Sequence, residues 1–161
     1  MAEFELRREA TLKEWGLIRK KHPKLPSIEE MEATFRCTAS EPYHMLSITA
    51  VDVMRFLSNV NYTIECILQP NRLVNMSEAK FISKEDKKNY FDMMKKLSYY
   101  YRKLQRADFV SENETVEAII ECYNFTKKEV FDFIIKFDET MMAGWKKEES
   151  VSNNDRNGYL G

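Results

Sequence analysis

The stretch from Leu46 to Leu68 constrains this chain more than any other. Its apolar residues Leu46, Ala50, Val53, Leu57, Val60, Ile64 and Ile67 are spaced 4, 3, 4, 3, 4 and 3. These are successive heptad a and d positions, which lay one narrow apolar seam along a helix. Asp52, Arg55, Asn59 and Thr63 fall on the far side of the same wheel. A helix of this kind packs against other helices. A second stretch repeats the pattern: Tyr90, Met93, Leu97, Tyr100, Leu104 and Ala107 are spaced 3, 4, 3, 4 and 3. Two helices with matching seams are natural antiparallel partners. The expected fold class is all-α, a single-domain bundle of four long helices plus one or two short helices.

Composition narrows the function classes. The four glycines, Gly16, Gly144, Gly158 and Gly161, are not clustered as a phosphate loop or a dinucleotide-binding turn requires. No alternating β-branched run suggests a strand. The 161 residues carry a net charge of −1, so any attraction to nucleic acid or anionic lipid has to be local. No apolar run approaches the roughly 18–20 residues that span a bilayer. The start, Met1-Ala2-Glu3-Phe4-Glu5, lacks an apolar signal region. A cytoplasmic protein with no membrane span is expected. Cys37, Cys66 and Cys122 are odd in number and far apart, which suits reduced, packed thiols.

The first helix is expected over roughly Glu3 to Lys21. It carries Phe4, Thr11, Trp15 and Ile18 on one side and Leu6, Ala10 and Leu17 on another. Two apolar sides predict a helix sandwiched between neighbours. His22-Pro23-Lys24-Leu25-Pro26 ends it. Ser27 with Glu30 reads as a capping box for a short helix that faces Ile28, Met31 and Phe35 inward. Pro70 stops the seam helix, and a helical turn is expected at Ser77–Ile82. Ser83 caps a helix over Lys84 to Ala107, and Ser111 or Asn113 opens the next. Thr126 with Glu129 reads as another capping box, which predicts a kink or restart after Asn124. The last helix should end near Lys147. Residues 1–148 then form the bundle, and 149–161 a polar, flexible tail.

Four features bear on chemistry. Lys84, Lys88, Lys95, Arg102 and Arg106 fall within about 40° of one another on a helical wheel. Tyr99 and Phe91 flank them. From Lys84 to Arg106 there are eight basic residues against three acidic ones. Such a stripe suits an acidic protein partner or a phosphate backbone with a stacked base, and it is also what a solvated helix face looks like. Second, Asp138 is central to the apolar face of the last helix. It reads as a structural pin, a rim residue, or a general acid or base. Third, Glu114-x-x-Glu117 and Glu129-x-x-Asp132 have the spacing with which all-α nucleotide pyrophosphohydrolases present carboxylates to Mg²⁺ from facing helices. Fourth, Cys37 and His44 bracket a loop with a nucleophile and an imidazole.

Two functions follow. The preferred one is a non-enzymatic binding module that contacts a protein, or a nucleic acid, through Lys84, Lys88, Lys95, Tyr99, Arg102 and Arg106, without a cofactor. The alternative is a small metal-dependent phosphohydrolase or nucleotide pyrophosphohydrolase, with Mg²⁺ held by Glu114, Glu117, Glu129 and Asp132. Coiled-coil spacing also serves dimers, so a homo-oligomer is a further expectation.

Overall fold

The computed structural model describes the backbone of residues 2–37 and 44–157, and within these the side chains of 6, 8–37 and 44–149. The described residues form α1 (Ala2–Lys21), α2 (Ile28–Phe35), α3 (Met45–Leu68), α4 (Leu73–Glu78), α5 (Lys84–Val110) and α6 (Glu112–Phe125). A π-helical turn (Thr126–Val130) and α7 (Phe131–Asn157) complete them. There is no strand among them, so the all-α bundle holds. Among the described residues no helix is long and apolar enough to cross a membrane.

α3 and α5 pack more extensively than any other pair. Ala50, Val53 and Leu57 of α3 are fully buried, and Leu97 and Leu104 of α5 are buried with them. The pair is antiparallel. Leu46 near the start of α3 shares a cleft with Val110 at the end of α5. Further along, Leu57 and Asn61 share one with Leu97 and Tyr101. Much of each seam is therefore occupied by the other, while Tyr90 and Tyr100 of α5 pack on Phe133 and Phe125 and Val60 of α3 faces α7.

α1 is covered on one side only. Thr11 and Trp15 are buried, whereas Leu6 and Leu17 are more than half exposed. The expected sandwich is thus corrected. One face is fastened by polar bonds to the turn that follows. Trp15 Nε1 donates to the Pro26 carbonyl at 3.0 Å, and Arg19 Nε to the Leu25 carbonyl at 2.9 Å. The capping box of α2 forms as read, with Glu30 N donating to Ser27 Oγ at 3.2 Å and Ser27 N to Glu30 Oε2 at 2.7 Å.

The turn expected at Ser77–Ile82 continues a helix that begins earlier, α4, with Lys80 N donating to the Ser77 carbonyl at 3.1 Å and Phe81 N to that of Glu78 at 3.0 Å. Residues 79–82 bring Phe81 onto α7, edge-on to Trp145 at 5.4 Å. A Cβ at Gly144 would run into that Phe81 ring. Ser83 and Ser111 cap α5 and α6, accepting from Asp86 N at 3.0 Å and Glu114 N at 3.3 Å.

Of the kink or restart expected after Asn124, the restart does not occur, and the irregularity is a π-helical turn over Thr126–Val130. α6, the π turn and α7 form one continuous helix, and Thr126 has helical backbone angles, φ −61 and ψ −45. Spacing explains this. The inward positions Cys122, Thr126, Val130 and Ile134 are four residues apart each time, which outruns a helix of 3.6 residues per turn. A wider i→i+5 turn absorbs the extra residue. The Thr126 hydroxyl is buried without a hydrogen-bond partner. The helix also continues past Lys147, to Asn157.

Candidate functional site

The basic stripe lies on the outer face of α5. Lys84, Lys88, Lys95, Arg102 and Arg106 are all exposed. Phe91 and Tyr99 stand among them, 53 % and 61 % exposed. The row is partly tied to its own helix. Lys95 Nζ lies 4.5 Å from the centre of the Phe91 ring and 3.1 Å from Asp92 Oδ1. Arg102 donates to Gln105 Oε1 at 3.0 Å.

The stripe and the carboxylates, read separately in the sequence, meet in space. Tyr99, Arg102, Lys103 and Arg106 form one wall of a groove of about 630 Å³, and Glu114, Glu117 and Glu121 of α6 form the other. Lys103 bridges it to Glu121 at 2.5 Å. Two turns beyond, Lys96 reaches Glu129 in the π turn at 2.5 Å. Each bond holds its ammonium group charged, raising the lysine above its ordinary value. Tyr100 stacks on Phe125 at 4.2 Å beneath this line of ion pairs, and its hydroxyl is pushed up by burial first and by Glu121 and Glu129 next.

This placement bears on the metal alternative. Its geometry needs two facing helices, but Glu114-x-x-Glu117 and Glu129-x-x-Asp132 stand on one continuous helix. Glu117 and Glu129 are about 18 Å apart along its axis. Glu129 is paired with Lys96, and Asp132 is exposed. Among the described residues no three His, Cys, Asp or Glu side chains stand close enough to share a metal ion.

Asp138 is neither pinned nor buried. It is exposed, on the rim of a groove of about 510 Å³ between α3 and α7. Phe56 and Val60 of α3 face Phe133, Ile134 and Phe137 of α7 across it. Asp52, Arg55, Asn59 and Thr63, on the polar side of the seam helix, also line this groove. Asp52 is buried and accepts from Arg55 at 2.8 Å. Periodicity alone hid these residues, because a polar stripe looks the same over water and over a groove. The available signal was the breadth of the apolar face around Asp138.

Cys37 does not suit nucleophilic work. Burial, reinforced by the nearby Asp52 and Glu32 charges, pushes its thiol up to about 12, so it stays protonated at neutral pH. Between it and His44, Thr38–Tyr43 lie outside the described residues. His44 itself begins α3 at φ 63, without a side-chain cap bond. No protein-family model, no curated protein and no solved structure matches this chain.

Proposed function

We propose that this protein is a non-enzymatic helical interaction module. Its outer α5 face binds an acidic segment of a protein partner. The observation that carries the reading is the pair of open aromatic rings, Phe91 and Tyr99, within a row of exposed cations. Exposed aromatic and arginine side chains are the groups that anchor protein interfaces. A protein is favoured over nucleic acid because Glu114, Glu117 and Glu121 face the Arg102–Arg106 end of the row. A phosphate backbone laid there would meet carboxylates, whereas a protein segment can alternate its charges. The reading places the module inside the cell, in keeping with three free cysteines. Self-association would use a surface other than the packed α3–α5 contact.

The test is a titration of the full chain with a glutamate-rich peptide and with single-stranded and duplex oligonucleotides, between about 50 and 200 mM salt. Peptide binding that weakens with salt, and is lost when Lys95→Glu and Arg102→Glu are combined, is the expected result. Equal binding by the double variant, or none by the native protein, refutes the reading. Binding of the oligonucleotides alone would make the partner a nucleic acid.

A further inference from the structure

The groove between α3 and α7 begins where α2 ends. Phe35, the last residue of α2, sits edge-on to Phe56 of α3 at 5.4 Å and to Tyr123 of α6 at 6.4 Å. Beyond Phe35 the two walls continue. Phe56 meets Phe131 at 6.4 Å, and then Val60 faces Phe133, Ile134 and Phe137 across open space. α2 thus ends where a groove of about 510 Å³ begins, which no described residue covers. α2 is itself a short helix that buries Ile28, Met31 and Phe35, at i, i+3 and i+7, and turns Glu29 and Glu30 outward.

The rim of the groove is charged, with one sign at each end. Arg36 stands at the α2 end, held at φ 54 as the helix C-cap. Asp138 lies seven positions beyond Phe131, about 10 Å further along α7. Neither side chain has a hydrogen-bond or ion-pair partner among the described residues, whereas Arg55 is taken by Asp52. Phe35 and Arg36, at the C-terminal end of α2, line the opening itself.

We propose that the open groove binds a second short amphipathic helix, supplied by a partner protein and laid end to end with α2. Its apolar face has the i, i+3 or i+4, i+7 spacing. Its N-terminal turn is acidic and meets Arg36. A basic residue about two turns later meets Asp138. The proposal does not rest on the α5 face, none of whose residues line this groove.

The experiment selects helical peptides of about 15 residues from a displayed library on the full chain, then titrates a labelled winner. Enriched peptides should share the apolar spacing, with acid before base. Ile134→Glu should weaken the winner at least about tenfold while the chain stays folded, with a lowered Tm. Asp138→Lys should weaken it about as much, and exchanging the peptide's basic residue for an acidic one should restore binding to that variant. If Ile134→Glu does not fold, Asp138→Lys and Arg36→Glu, both at exposed positions, carry the test. No enrichment, winners without the spacing, or winners indifferent to Asp138→Lys and Arg36→Glu overturn the proposal. So do winners lost on Lys95→Glu, because they bind the α5 face.

Discussion

Thr126 and Thr115 are both buried on the same long helix, and their hydroxyls fare differently. Thr115 donates to the Ser111 carbonyl at 2.8 Å and lies 3.1 Å from that of Ala107. Thr126 Oγ1 has no partner. A buried hydroxyl without a hydrogen bond costs about 1–3 kcal/mol. Valine has nearly the same shape and a similar helix propensity. Thr126→Val should therefore stabilise the protein by about 1 kcal/mol, raising Tm by about 2–4 °C in a thermal melt. An unchanged or lower Tm would mean the hydroxyl is satisfied after all. The thiols make a second prediction. Burial raises Cys37 and Cys122 from 9.0 to about 12. Below pH 9.0 both are protonated whether the chain is folded or not, and their contribution is complete. Above it the unfolded chain releases protons that the fold retains, so stability falls with rising pH and this contribution is gone beyond about 12. Melting temperatures from pH 7 to 11 should decline, and Cys122→Ala should flatten the decline. In the folded protein, iodoacetamide should label half-buried Cys66 before the other two, as read by mass spectrometry.

At the scale of elements, the seams were the legible part. Leu57 is fully buried between α3 and α5, and Leu57→Ala should cost about 2–5 kcal/mol in urea unfolding. Val60 is half-buried and opens onto the groove, so Val60→Ala should cost about 1 kcal/mol. Equal costs would mean the groove closes in solution. The less legible elements failed for identifiable reasons. α1 has apolar residues on two sides, and periodicity does not say which side finds a neighbour. Thr126-x-x-Glu129 has the letters of a capping box, but Glu129 is engaged by Lys96 and the backbone runs through. A π turn is in effect one inserted residue. Deleting exposed Lys128 should restore a regular helix with Phe137 and Met141 still facing inward. Deleting exposed Lys136 should turn everything after it by about 100° and lower Tm far more. Circular dichroism melts of the two deletions compare them directly.

For the whole molecule, the candidate surfaces were legible only in part. The α5 stripe was readable because exposure and charge follow the helical wheel. Its encounter with the α6 carboxylates was not, because that depends on how two helices lie side by side. The groove was hidden for a deeper reason. It exists where α2 stops short, and the letters of α3 and α7 carry no record of a neighbour's length. The two surfaces share no lining residue. One partner could thus hold the α5 face while another lies in the groove.

The long helix from Glu112 to Asn157 also has a consequence for how the molecule opens. Its first part is held by α5 and α3, whereas from Met142 to Glu149 its side chains are mostly exposed, and Trp145 and Gly144 rest on Phe81. Opening free energy follows burial, so it should grade along a single rod. Amide hydrogens should exchange with solvent slowest in the Val53–Ile64 and Leu97–Leu104 segments, near the rate set by global unfolding. They should exchange progressively faster along α7 towards its C-terminal end. The helix would then behave as an arm that frays from its tip, while Phe133 and Phe137 on the groove wall stay held against Tyr90 of α5, at 5.1 and 5.5 Å.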